Sequence, residues 1–401
     1  MSGAVSRGRF DYRRRMRLMI ACLCVAALVV GTAAAGVGAA SHQTWYVDDD
    51  GTGTPSSCDG REIIPSTIQQ GVDAAANGDR VLVCPGVYIG PIDISKNGLV
   101  VRAKLGAKAM VLAASNHTSG EPLITIHDAS NVKLKNLRIV APTAAPCAQV
   151  GSLIYIQDAP NTEIKGNKLS VLGNEGLGSC GYQIGVFVNG QSQFSRVIYN
   201  KITDFGAVGI QMSADDTKAK RNTINFFHPG HVYSDNPNAV GVNLTQFVTR
   251  ARVIDNVIRS LPTAGDTPRL GWGVYSFRGF GIVEGNFVRH ATRAFGWFGG
   301  DGTYISDNTA VVDITIGIEF DSIAEATVTG NDIEGEELGI SLTNSIANTI
   351  TGNDFRGPSD PDCTDDSEGQ GSYGTSNIWE DNQGHTSWPS GICSPVEQQE
   401  Q

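Results

Sequence analysis

A short motif returns along most of this chain at a nearly constant interval, and that interval limits the fold more than any other feature. Asparagine recurs in one local context: Lys-Asn136-Leu, Gly-Asn167-Lys, Tyr-Asn200-Lys, Arg-Asn222-Thr, Asp-Asn256-Val, Gly-Asn286-Phe, Asp-Asn308-Thr, Gly-Asn331-Asp, Gly-Asn353-Asp and Asp-Asn382-Gln. Successive spacings are 31, 33, 22, 34, 30, 22, 23, 22 and 29, a base period of 22 with additions of about 7 to 12 residues. A second marker keeps step: glycine followed by alternating apolar residues, as Gly185-Val-Phe-Val188, Gly209-Ile-Gln-Met212, Gly241-Val-Asn-Leu244, Gly273-Val-Tyr-Ser276, Gly317-Ile-Glu-Phe320 and Gly339-Ile-Ser-Leu342. Gly296-Trp297-Phe298 reads as an altered copy. Two markers on one period mean one supersecondary unit repeated.

No segment alternates for more than about six residues, so the unit is two or three short strands joined by turns. A 22-residue coil that returns to its starting place is a rung of a parallel β-helix, and rungs stack about 4.8 Å apart. Glycine and asparagine then share a reason, since the turn between strands needs a residue that tolerates φ > 0. Stacked asparagine side chains also form a ladder. The 48 glycines and 24 asparagines in 401 residues fit this all-β reading and oppose a helical bundle.

Arg7, Arg9, Arg13, Arg14, Arg15 and Arg17, then the apolar run Leu18 to Val30, read as an export signal over residues 1–40. Its removal leaves 24 basic and 40 acidic side chains, net −16, a poor balance for nucleic acid. Ser66-Thr-Ile-Gln69 reads as a capping box opening a short helix that covers the N-terminal end. Residues 41–105 are expected to form this cap and a first coil, 106–357 the repeats, and 358–401 a C-terminal cap and polar tail. No membrane span is expected after cleavage, and a secreted or cell-surface monomer is favoured. Six cysteines remain, in three sequence-local pairs that predict Cys58–Cys84, Cys147–Cys180 and Cys363–Cys393.

The run STIQQGVDAAANGDRVLVCPGVYIGPIDI, followed by the glycine and asparagine rungs, resembles the pectate-lyase-like right-handed parallel β-helix superfamily over roughly residues 44–356. The resemblance implies about ten right-handed coils. It also implies a polysaccharide partner in a groove along one sheet, flanked by long turns. Lyases, hydrolases, epimerases and proteins without a known reaction share this fold, so activity must come from the site.

The additions to the period lie after the asparagine and before the glycine strand, at residues 168–184, 223–240 and 257–272, so all three leave one corner. In the glycine strands the outward row is expected to be Phe187, Gln211, Asn243, Tyr275, Phe298, Glu319 and Ser341. The next row is expected to be Asn189, Ser213, Thr245, Phe277, Gly300, Asp321 and Thr343. Glu319 and Asp321 share a face, Asp301 is expected nearby, and clustered carboxylates can divide into acid and base for glycosidic hydrolysis. Tyr275 and His290, with Arg278, Arg293, His228 and His231, instead suit proton abstraction from a uronic acid. Phe187, Tyr275, Phe298 and Trp272 suit stacking on sugar rings or on a protein partner, without catalysis. The acidic runs Asp48-Asp49-Asp50 and Asp360 to Glu368 make calcium possible, though neither matches an EF-hand loop.

Overall fold

The computed structural model describes residues 42–394 apart from 50–57, 59–62, 65, 107, 115–116, 119, 142–150, 172–183, 204, 206, 227–234, 261–268, 336 and 358–360. One rung gives the plan of all. Glu163–Lys165 is the first strand, Lys168–Val171 the second and Ile184–Asn189 the third. Each pairs in parallel with its counterpart in the next rung: Glu163 with Arg196, Lys168 with Lys201, Ile184 with Val208. Three faces result. Face 1 is a 14-stranded sheet, and faces 2 and 3 join in one of 21 strands. They join because Phe287–Asp301 and Thr309–Ala324 run through the corner between them without a break.

The core is a stack of identical layers. Ile164, Val197, Ala219, Val253 and Val283 follow one another on the inside of face 1, all at 0–1 % exposure. Leu169, Ile202, Ile224 and Ile258 do the same on face 2, and Val186, Ile210, Val242 and Val274 on face 3. Each such valine, leucine or isoleucine contributes roughly 1.5–3 kcal/mol on leaving water, and Ala219 less.

The asparagine ladder runs from Asn167 to Asn382. Asn222 makes every bond its amide allows in a buried turn: Oδ1 accepts from Asn200 N at 2.9 Å and Asn200 Nδ2 at 3.1 Å, and Nδ2 donates to Val197 O at 2.8 Å and to Asn256 Oδ1 at 2.9 Å. The expected φ > 0 does not fall on these asparagines. It falls on the residue before each: Tyr199 (φ 58), Arg221 (53), Asp255 (53), Gly285 (64), Gly330 (63). The asparagine is therefore fixed by its amide, and its neighbour carries the left-handed turn. Asn136 is out of phase by one. It is itself left-handed (φ 59), and Leu137 holds the ladder place, donating its N–H to Asn167 Oδ1 at 3.0 Å.

The strand glycines answer a different need, close approach. A Cβ on Gly317 would lie 2.0 Å from Ile333 Cγ2 and 2.3 Å from Gly339 O. Nothing larger fits where the corner brings the face 2 side chain beneath face 3.

Helix Ile68–Ala74 lies at the N-terminal end with Ile68 and Val72 buried. Its cap is Thr67 rather than the expected Ser66: Thr67 Oγ1 accepts from Gln70 N at 3.2 Å. Gln69 reaches away from the cap, its Oε1 accepting from Asp93 N at 2.7 Å. Cys58–Cys84 and Cys363–Cys393 are disulfide-bonded, with Cα atoms 5.6 and 6.3 Å apart. Cys147 and Cys180 lie outside the described residues. Stacking continues into the segment expected to cap the C-terminal end: Cys363–Asp365 pairs with face 3 strand Leu338–Thr343, and Ile378–Glu380 with face 1 strand Thr349–Thr351. Asp365 in that segment is a structural acceptor, taking bonds from Asn377 Nδ2 and Trp379 Nε1, both at 2.9 Å.

Candidate functional site

Face 3 carries the outward residues of interest. Its pairing gives the row Tyr155, Phe187, Gln211, Asn243, Tyr275, Gly296, Glu319, Ser341. The expected row is right except in one rung. Gly296, not Phe298, stands between Tyr275 and Glu319, while Phe298 pairs with Phe277 and Asp321 in the next row. The marker glycine of that rung is replaced by Ala294, whose carbonyl faces Gly273. Reading Gly296 as the marker therefore shifts the strand by two residues, which preserves the inside–outside alternation. Gly300 and Asp301 pair with Ile323 and Ala324, so Asp301 stands at the strand's end, away from Glu319.

The glycine at 296 makes room for a ring. Trp272 lies across it, its Cζ3 filling the place of a Cβ at 2.0 Å. Trp272 stands 5.0 Å from Tyr275 and 5.4 Å from Phe298, and Tyr275 stands 5.7 Å from Phe298, measured between ring centroids. The Arg293 guanidinium sits 4.7 Å from the Trp272 ring centroid and pairs with Glu319. Asp321 accepts from Ser322 Oγ at 2.8 Å. Trp272, Tyr275, Phe298, Arg293, Glu319 and Asp321 thus form one patch. Phe187 is three rungs from Tyr275, about 14 Å, and stacks instead with Tyr155 at 5.2 Å. Between these aromatic groups lie Gln211 and Asn243, whose side-chain oxygens are buried and accept no hydrogen bond among the described residues.

Other expected members stand apart. His290 is 7 % exposed at the corner between faces 2 and 3, left-handed (φ 55), with Nδ1 bonded to Asp313 at 2.6 Å. It holds that corner and does not share the cleft of Tyr275. Arg278, also left-handed, lies 5.3 Å from the Phe277 ring as the chain leaves face 3. His228 and His231 lie outside the described residues.

Face 3 also holds a group that the repeat markers hid. His127 Nε2 bonds to Asp93 at 2.8 Å and Nδ1 to Asp128 at 2.9 Å. The bond to Asp128 is foremost in holding the imidazole above its ordinary pKa, against partial burial and with Asp93 adding to it. The group borders a cavity of about 460 Å³ that His117 and Glu121 also line. These rungs lack the glycine marker, since Leu123 and Leu153 stand where later rungs have glycine.

No group of three or more His, Cys, Asp or Glu among the described residues could hold a metal ion. Asp49 of the first acidic run is engaged, accepting from Val87 N at 2.7 Å.

A family model described as NosD, periplasmic copper-binding protein, matches residues 270–384. Within that span His290 is the one histidine and is held by Asp313, Cys363 is in a disulfide, and there is no methionine. The soft ligands copper prefers are therefore missing from the matched segment, and its residues do not fit a copper site. No curated protein matches the chain in sequence. Among solved structures it is similar to XylC in complex with xylose (TM-score 0.58, 11 % identity, 80 % of this chain and 77 % of that one). It is also similar to a mannuronic acid-specific family 6 polysaccharide lyase from human gut microbiota (0.51, 15 %, 78 % and 75 %). A third is the catalytic unit of a GH87 α-1,3-glucanase from Streptomyces thermodiastaticus strain HF3-3 (0.50, 17 %, 89 % and 71 %). At these identities the likeness is one of fold. With three faces of parallel strands stacked rung on rung, the chain has the fold of the pectate-lyase-like right-handed parallel β-helix proteins.

Proposed function

We propose that this is an exported β-helix protein that binds polysaccharide along face 3, with residues 1–40 as the removed signal. The observation that carries this reading is the outward cluster of Trp272, Tyr275 and Phe298, with ring centroids 5.0–5.7 Å apart. Aromatic faces stack on the apolar faces of sugar rings. Two disulfides fit an extracytoplasmic compartment, and no helix among the described residues is long and apolar enough to cross a membrane.

Binding is favoured over catalysis because Glu319 is already tied to Arg293, and Asp321 to Ser322. Catalysis stays as a second reading on one observation: Glu319 and Asp321 project from the same face of strand Thr309–Ala324, two residues apart. Incubating the mature protein with uronate and neutral glycans tests both. Retention without new reducing ends or absorbance at about 235 nm, the unsaturated-uronate signal of a lyase, supports binding. Product formation abolished by Glu319→Gln with Asp321→Asn supports the second reading. Neither retention nor product on any glycan would overturn both.

A further inference from the structure

Face 1 carries a second surface of opposite chemistry. In its first outward row Lys133, Glu163, Arg196, Lys218 and Arg252 occupy successive rungs. Glu163 is the single acid in this run and is neutralised from both sides, by Lys135 at 2.6 Å and Arg196 at 2.7 Å. Lys133, Lys218 and Arg252 have no ion-pair partner among the described residues. Lys218 has its ammonium pKa lowered, first by partial burial and then by Arg252, Lys220 and Arg196. The net charge is negative, −11 for the full chain and −16 without residues 1–40, yet the folded chain gathers a basic stripe on a single face. Net charge counts residues and does not say which face they share.

The row borders a groove of about 640 Å³. The opposite wall is the turn that leads into face 1, with Asn131, Asn161, Phe194, Asp216 and Arg250. These five all take left-handed φ, between 55 and 61. Phe194 is bulky, 57 % exposed and held in that conformation, which keeps an apolar ring out beside the cations. Asp216, the remaining acid on this wall, pairs with Arg250 at 2.6 Å. The groove runs across rungs, along the axis of the molecule.

The geometry points to a linear anionic polysaccharide, a chain of carboxylate-bearing sugars, lying in this groove. Cations one rung apart repeat at about 4.8 Å, a step comparable to one sugar in an extended chain. Lys218 and Arg252, on adjacent rungs and without ion-pair partners among the described residues, thus meet neighbouring carboxylates, with Lys133 further along the same row. The amides of Asn131 and Asn161 meet hydroxyls, and Phe194 offers its ring to a sugar face. A nucleic acid would be met by the same cations, but one projecting phenyl ring gives it little to stack on, and the two amides suit hydroxyl-rich rings. This site is separate from face 3, so either can fail without the other.

Retention of the mature protein on immobilised polygalacturonate, across a salt series, tests the assignment. Retention is expected at low salt and is lost as salt screens the groove. The Lys133→Gln, Lys218→Gln, Arg252→Gln triple variant is expected to lose affinity by about tenfold or more. Asp216→Asn, which removes the wall's carboxylate, is expected to tighten binding, so a folding defect in the triple variant would not mask the answer. Trp272→Ala is expected to leave this binding unchanged. No retention at low salt, retention insensitive to both groove variants, or stronger retention on duplex DNA or anionic vesicles than on polygalacturonate would overturn it.

Discussion

Faces 1 and 3 of the same rungs make an instructive pair. From the rung of Glu163 to that of Gly281, both are parallel sheets with the same kind of aliphatic interior. Outside they differ entirely. Face 3 presents Phe187, Gln211, Asn243 and Tyr275, while face 1 presents Arg196, Lys218 and Arg252. Stability in this architecture resides chiefly in inward residues and turn ladders, to which face 3 adds a cluster of Ile184, Ala207, Val208 and Val240 with Phe187, Trp272 and Tyr275 packed against it. Two ligand surfaces can therefore share one scaffold without competing for the same residues.

The comparison is broken most severely by damage to what the faces share. Asn222→Ala leaves the buried N–H of Asn200 without its acceptor and takes a second donor from the Val197 carbonyl, which keeps its ladder bond. A buried orphan costs about 1–3 kcal/mol, so thermal denaturation should show the largest loss here, and both faces should lose binding together. Asn136→Gly, in the out-of-phase turn with φ 59, should be close to neutral in the same assay. If the two substitutions cost the same, the ladder is not what fixes these turns.

Next in size is the overpacking test. Gly317→Ala forces a methyl against Ile333 and the Gly339 carbonyl. Urea denaturation should report a loss of about 1–3 kcal/mol.

A smaller effect separates the faces. Glu319→Gln frees Arg293 from an ion pair whose side chains are 22 % and 32 % exposed. It should change stability by no more than about 1 kcal/mol, while altering glycan affinity on face 3 and leaving polygalacturonate retention on face 1 alone.

The smallest effect concerns His127. Its folded pKa is raised above the ordinary 6.5, so its contribution to stability is full below about pH 6.5 and is lost as pH rises through the raised value. His127→Gln should flatten that part of a stability–pH profile. A histidine NMR titration placing His127 at or below the ordinary value would contradict the double carboxylate clamp.

Much of this architecture could be read from period alone. Asparagine and glycine mark backbone needs that no other residue meets as well, so their spacing gave the rungs, the insertion corner and most of face 3. Period alone misleads where a marker is absent or has a look-alike. Ala294 holds a glycine's place and Gly296 makes room for Trp272, so the marker spacing gives Phe298 and Asp301 the wrong neighbours. Leu123 and Leu153 carry no marker at all, which concealed the His127 group. The basic groove was illegible for another reason. Lys133, Lys218 and Arg252 are scattered over more than a hundred residues, and only the pairing register brings them to adjacent places.

The central claim is that the aromatic patch on face 3 is a sugar-binding surface. Calorimetric titration of the best-retained glycan into the mature protein and into Trp272→Ala tests it most directly. Truncating an aromatic anchor costs about 2 kcal/mol or more, so affinity should fall about 30-fold; Trp272 also packs against Tyr275 and Phe298, so both proteins are titrated well below their melting temperatures. Equal affinity in the two proteins would contradict the account.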